Sequence, residues 1–389
     1  MRPSSSPSEG LFDGILARGA VPATVADDAW VRAMLDTEAA LADAGAAAGV
    51  IPASSAAAIA AACADLDPDP AELGRAAAAH ATPVVPLVAA IRAALPEAVR
   101  PHVHAGATSQ DVLDTATMLV ARRAVAAISS DVDGAADAAA ELARRHRDTP
   151  MIGRTLLQQA LPTTFGLTAA GWLTGLDAAA AALAGFAPTA QLGGPVGTLA
   201  GLPPAALADF ADRLGLHAPE LPWHTERSRI GLLAGTLGVT AGALGKPARD
   251  VTLLAQNEVG EVAEGAPGGS SAMPHKQNPV AAVSALAAAA QAPGLVATLL
   301  AGAVQEHQRG AGGWQAEWWP LRELLVAVGS AAAALDACLS GLVVRPDVMR
   351  ANLDRAGWQA EPGAVDPVGN AGHFVDLALA RHTSRRTDG

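Results

Sequence analysis

The sequence predicts an all-α fold, and three observations carry that expectation. Apolar residues recur every three to four positions over long stretches. The chain is 51% hydrophobic but only 3% aromatic, with no tyrosine. Its core must therefore be built from Ala, Leu and Val, which suit close-packed helices better than sheets. Strand-like alternation is sustained nowhere; the glycine-rich segment 191–201 is the one place read as holding a small hairpin.

In chain order, segment 27–48 sets Trp30, Met34, Leu35, Ala39 and Leu41 near helical spacing. Pro52 and the Ser54-Ser55 pair open a helix that runs to about residue 64. The acidic, proline-rich 65–70 is a turn, and 83–95 is a further short helix. These make a small N-terminal helical domain, 1–105. The central region, 106–345, differs in scale. Segment 109–146 has no proline and one glycine, Gly134, so it forms roughly ten turns at ~3.6 residues each. Segments 164–183, 230–259, 278–290 and 314–342 read likewise. Helices this long and apolar are under-buried in one chain and need a bundle shared between subunits. The C-terminal segment, 346–389, is reduced. Gly and Pro crowd 355–372, a short apolar stretch follows at 373–380, and the polar last residues are expected to fray.

A formal net charge of −12 without a basic stripe argues against nucleic acid or an acidic membrane as partner. The most apolar stretch, 283–304, is long enough to span a bilayer, but Gln291 and Pro293 interrupt it, and a buried helix pair is the better reading. Residues 1–10 are rich in Ser and Pro and do not read as a secretory signal. Cys63 and Cys338 lie far apart without a C-x-x-C, so disulfide frameworks and thiolate metal sites lack support. A cytoplasmic protein is expected. An acidic chain that binds an anion needs a few local cations, which singles out the two lysines, Lys246 and Lys276.

Three strings carry candidate chemistry. From Gly268 to Pro279 the loop reads G-G-S-S-A-M-P-H-K-Q-N-P, between two long helices. A mobile glycine-rich segment can close over a substrate and exclude water, which strengthens the field of Lys276 on a carboxylate. Ser270 serves as a proton carrier if a cation and backbone N–H groups stabilise its alkoxide. The blander reading is an exposed interhelical loop; one of only two lysines, set beside His275 and Asn278, weakens it. From His104 to Asp111 the chain reads H-A-G-A-T-S-Q-D. Thr108 and Ser109 there either cap a helix or hold an anion with its first amides. On these residues alone capping is favoured, and the His102/His104 pair lacks a third metal ligand. From Gly153 to Gln159 the string is G-R-T-L-L-Q-Q, where Arg154 and Gln158 read equally well as polar residues at a helix start.

Together these strings resemble the signatures of the fumarase/aspartase superfamily. The resemblance covers roughly 11–353, and G-S-S-x-M-P-x-K-x-N-P is its most specific part. It implies a long helical bundle with a small N-terminal domain, no metal or organic cofactor, and a homotetramer. Each active site would then gather Thr108/Ser109, Arg154/Gln158 and the Ser270 loop from different subunits. It further implies that Ser270 acts at the carbon alpha to a carboxylate. Lys276 and Asn278 match substrate-anchoring positions, and Thr108 and Ser109 match a carboxylate-binding pair. His104 matches an active-site position of the adenylosuccinate-lyase branch. Gln277 stands where many relatives carry Arg, and the usual third helical domain is largely missing after Asn352.

One departure is chemically informative. In the lyases this chain resembles, the residue after G-R-T is a histidine that protonates the leaving group; here it is Leu156. Expelling an amine or hydroxide needs such an acid. Expelling a carboxylate does not, because its conjugate acid has a pKa near ~4. Lactone opening and closing is such a reaction, and segments 147–151, 221–227 and 305–314 resemble the 3-carboxy-cis,cis-muconate cycloisomerase branch. In that branch the histidine position is often Trp, and Arg309 matches an arginine expected near the substrate. The implied function is interconversion of 3-carboxy-cis,cis-muconate and 4-carboxymuconolactone in protocatechuate catabolism, with a small polycarboxylate as substrate. Ser270 and Lys276 would be catalytic. His104, Thr108, Ser109, Arg154, Gln158, Asn278 and Arg309 would bind substrate, without metal. The alternatives are an adenylosuccinate-type lyase that releases fumarate and a catalytically inactive scaffold. Trp223, Trp314, Trp318, Trp319, His224 and His307 read first as structural.

Overall fold

The computed structural model describes residues 10–273, 275–358 and 368–388. Two single-turn helices, α1 (Asp13–Leu16) and α2 (Val21–Thr24), lead into α3 (Asp27–Ala47) and α4 (Ala53–Asp65), which pack side by side around Leu35, Ile59 and Cys63. Two shorter helices follow, α5 (Pro70–Ala77) and α6 (Val84–Ala93). The expected turn at 65–70 ends in a cap: Asp69 accepts the Ala71 amide at 2.9 Å, with Pro70 as first helical residue.

The spine is α7 (Ser109–Arg145), 37 residues and therefore about 55 Å long. Its buried positions include Ala116, Ala124, Ile128, Val132, Ala135 and Ala139, and this mostly small set lets neighbouring helices approach closely. At its far end stands the antiparallel hairpin β1 (Pro150–Thr155) and β2 (Gln158–Thr164). This corrects the sequence reading, which put a hairpin at 191–201; that segment is an irregular loop. The register slips at Gly153 and few of the hairpin's residues are buried, so no clean alternation is written into it. The chain then turns back as α8 (Phe165–Ala184). Gly166 permits the reversal, because a Cβ there would lie 2.5 Å from the Arg147 Cα.

After α9 (Ala205–Leu214), α10 (Ser228–Leu254) runs the length of the bundle, ending short of the expected residue 259 where the chain turns into β3 (Val262–Glu264). The return leg is α11 (Val280–Ala289) and α12 (Ala292–Ala301), broken at Gln291 with Pro293 in the first turn of α12, as the sequence predicts. The short α13 (Gly313–Ala316) precedes α14 (Trp318–Ser340). Next, β4 (Leu342–Val344) pairs with β3, and α15 (Pro346–Arg355) packs on β1. Helices α7, α8, α10, α11 and α14 form the bundle.

The expected fraying of the C-terminus is also corrected. Helix α16 (Ala371–Asp388) lies on α8 and α7. Arg385 bonds Asp133 and Asp177, and His382 sits between Asp137 and Asp177. These partners are remote in sequence, so composition alone cannot reveal the docking.

Three stretches, Phe165–Ala184, Val280–Ala301 and Gly313–Ser340, are long and apolar enough to cross a membrane. Val280–Ala301 is the least covered by the rest of the chain. Its Val283 and Leu300, with Leu232 and Val239 of neighbouring α10, leave an apolar face without a partner inside the chain.

Candidate active site

The expected site residues fall into two groups at opposite ends of the bundle. At the entry to α7, Asp111 is the organising group. Its carboxylate accepts the Thr108 amide (3.0 Å), the amides of Gly193 and Gly194 (2.9 Å each) and His224 Nε2 (2.7 Å). Gly194 has φ +70, a left-handed conformation that costs glycine little. Asp111 therefore does more than suit the helix dipole: it staples the 193–194 turn over the helix start. One shell further in, Arg227 is bound on both sides, to Asp114 and to Glu317 at 2.6–3.1 Å, and Trp314 donates to Asp114 at 3.0 Å. All four are buried. His224 and Trp314 are thus structural, as their plainer reading held.

This scaffold leaves a set of unspent donors. The Ser109 hydroxyl and the Ser109 and Gln110 amides have no partner among the described residues. Arg309 bonds only neutral oxygens, those of Gly194, Pro195 and Gln110, at 3.2–3.3 Å. Burial lowers its pKa, against the pull of Asp111 and Asp114. Its charge therefore lacks a direct carboxylate partner. His104 places Nδ1 2.6 Å from the Glu38 carboxylate of α3. Burial works to lower the His104 pKa, but the charge and hydrogen bond of Glu38, helped by Asp111, raise it above the ordinary histidine value. The entry end gathers two free amides, a hydroxyl, a guanidinium and an imidazole favoured in its charged form, a donor set suited to an anion.

The other group sits at the hairpin end. Arg154 is held bidentately by Glu261 (2.9 and 2.8 Å), which is buried and also takes the Asn352 amide at 2.8 Å. Its charge is thus committed to locking the hairpin to α15. Gln158 is exposed and has no side-chain partner among the described residues. Between them, Leu156 and Leu157 form a two-residue turn with φ +51 and +65. Such a turn normally calls for Asn-Gly. Leu156 is nevertheless 96% exposed.

The Ser270 loop has a fixed base and a free crown. Gly268 and Asn278 exchange backbone hydrogen bonds at 2.9 Å, and the Asn278 side chain donates to the Gly269 carbonyl at 3.1 Å. Buried Glu264 accepts the Ala281 and Ala282 amides, tying β3 to the start of α11. Above that base, Ser270 Oγ accepts the amides of Ala272 (3.3 Å) and Met273 (3.2 Å). These are donors of the kind an alkoxide needs. The Lys276 ammonium is exposed and has no partner among the described residues, whereas Lys246 is spent on Asp250 at 2.6 Å.

One chain therefore brings Thr108, Ser109, His104 and Arg309 together, and separately Arg154, Gln158, Ser270, Lys276 and Asn278. The groups are separated by the length of α7, about 55 Å. The sequence reading missed Glu38 and Glu261. Glu38 carries a signal, being an acid in the apolar stripe of Met34, Leu35 and Leu41; Glu261 carries none. Among the described residues no cluster of three or more His, Cys, Asp or Glu side chains could hold a metal.

Comparison with known proteins bears on the family and the fold. Residues 18–294 match the Lyase family. A nitrosuccinate lyase of Streptomyces davaonensis is 47% identical over 370 residues, covering 90% of this chain and 78% of that protein. A 3-carboxy-cis,cis-muconate cycloisomerase of Pseudomonas aeruginosa is 45% identical over 363 residues, covering 90% and 79%. The crystal structure of the 3-carboxy-cis,cis-muconate lactonizing enzyme from Pseudomonas putida superposes with a TM-score of 0.88 at 34% identity, covering 97% of this chain and 99% of that one. With long-helix bundle, motif blocks and relatives in agreement, the chain belongs to the fumarase/aspartase superfamily of lyases.

Proposed function

We propose that this chain is a lactonising cycloisomerase that interconverts 3-carboxy-cis,cis-muconate and 4-carboxymuconolactone in protocatechuate breakdown. The observation that carries the reading over an amine- or hydroxide-releasing lyase is Leu156, a proton-inert side chain at the position where related lyases use an acid, and the cycloisomerase relatives point to ring closure. In the lactonising direction a substrate carboxylate oxygen bonds to the carbon beta to a second, conjugated carboxylate. The π pair moves to the alpha carbon and into that carboxylate. Ser270 gives the alpha carbon its proton and becomes an alkoxide, stabilised by the Ala272 and Met273 amides and by Lys276 until solvent reprotonates it. In reverse, Ser270 alkoxide takes the alpha proton and the ring oxygen leaves as carboxylate, which requires no acid at a pKa near ~4. Thr108, Ser109, His104, Arg309 and Asn278 hold the polyanion, Gln158 approaches on the hairpin, and Arg154 sets the hairpin's pose.

Since the two residue groups are separated by the length of α7, a working site must combine several copies. We take the assembly to be a cytoplasmic homotetramer joined along the apolar face of α10, α11 and α12. The chain is divided into an N-terminal domain (1–105), a bundle (106–345) and a short C-terminal segment (346–389).

The Streptomyces relative favours a second reading, expulsion of nitrite from a nitro-substituted dicarboxylate. Nitrite is also a weak base, so that elimination tolerates Leu156 equally well. One paired assay separates the two. Ultraviolet loss of muconate is followed with and without the 3-carboxyl group, beside colorimetric nitrite release from nitrosuccinate. Ring closure of the 3-carboxylated substrate alone is expected; nitrite release without ring closure would replace the first reading by the second.

A further inference from the structure

The buried carboxylate of Glu38 has no evident structural use. Its side chain is 0% exposed, one oxygen meets His104 Nδ1 at 2.6 Å, and the other, Oε2, has no hydrogen-bond partner. A half-satisfied buried carboxylate is costly, and an apolar residue of similar size would pack α3 more cheaply. His104 is itself strained, with φ +64. Two unfavourable features meeting in one short contact, beside the unspent donors of the α7 entry, point to function.

We infer that Glu38 is a positioning residue: by accepting Nδ1–H of His104 it holds the ring as a doubly protonated cation and leaves Nε2–H as the donor for a substrate carboxylate at the α7 entry. This rests on the proposed reading that a polycarboxylate binds there. The other groups acting on His104 are Asp111 of α7, which supports its charge, and Arg92 of α6, which opposes it. Near Glu38 is Cys63 of α4, whose thiol is pushed up to about 12, by burial first and then by the Glu38 charge, so it adds no charge of its own. His102 is turned away onto Ser55 at 2.9 Å.

The sign follows from the raised His104 pKa. The imidazolium persists below that value and is lost as pH rises through it, taking substrate affinity with it. Glu38→Gln keeps an oxygen that can accept Nδ1–H but removes the charge. In that variant the His104 ring, followed by carbon-13 NMR and assigned against His104→Asn, is expected to titrate lower than in the wild type. KM for 3-carboxy-cis,cis-muconate should rise several-fold at pH values between the variant's titration and the wild type's, and return toward the wild-type value in mild acid, with kcat changed less. KM profiles of Glu38→Gln and wild type that superimpose, with only a lower melting temperature, would overturn the inference. Should Glu38→Gln fail to fold, the wild-type titration decides alone, and a His104 value at or below that of ordinary histidine overturns the inference. If the chain does not lactonise muconate at all, the proposed function falls, while the titration still decides the pairing.

Discussion

At the α7 entry the charges that build the walls are buried and multiply bonded: Asp111 to three amides and His224, Arg227 to Asp114 and Glu317. At the hairpin end the groups assigned to chemistry are less enclosed: Ser270 is half-buried, and Lys276 and Leu156 are exposed. The Ser270 hydroxyl meets only amides of its own loop, and the Lys276 ammonium has no hydrogen-bond partner among the described residues. In the proposed function both ends serve one substrate. The contrast teaches that binding and chemistry are held by different means. On that reading a polyanion would be captured by a preorganised corner that need not move, whereas a serine that must exchange protons and then let product leave would be carried on a loop clamped only at its base.

Three perturbations test this division, the largest first. Ser270→Ala should lower turnover roughly 10²–10⁴-fold without shifting the melting temperature. Mixed and reassembled with inactive Arg309→Met chains, it should recover about a quarter of the activity, since sites drawing each group from different copies are then intact by chance. A clear loss of melting temperature in Ser270→Ala would mean that the hairpin end is as structural as the entry. The second perturbation, Arg227→Met, strands two buried carboxylates and should cost about 3–5 kcal/mol in denaturant unfolding. A cost below about 1 kcal/mol would show that the entry is not held by charge. The third is Leu156→Asn with Leu157→Gly, which relieves two left-handed leucines. It should raise stability by about 1 kcal/mol and lower kcat/KM several-fold. Unchanged kinetics would reduce the tip to a plain turn.

The motif blocks were legible because each is contiguous: the residues of G-S-S-A-M-P-H-K-Q-N-P need no knowledge of the fold to be recognised. The long helices were legible from their spacing and their lack of proline. The hairpin at Pro150–Thr164 was not, because the slip at Gly153 and its exposed residues erase alternation. Helix α16 looked like a frayed tail because His382 and Arg385 find their carboxylates on α7 and α8. Arg154 read as a substrate ligand, and only the fold reveals Glu261 already holding it.

By itself the sequence determined the helical class, the three reactive strings and the absence of a proton donor at Leu156. These depend on residue identity and local spacing, which survive without coordinates. Only the tertiary structure decided which residues share an end of the bundle, which cations are already neutralised and which carboxylate stands behind His104. Those are relations between segments far apart in the chain, set by a helix about 55 Å long that separates Thr108 from Arg154 more firmly than their 46-residue spacing conveys.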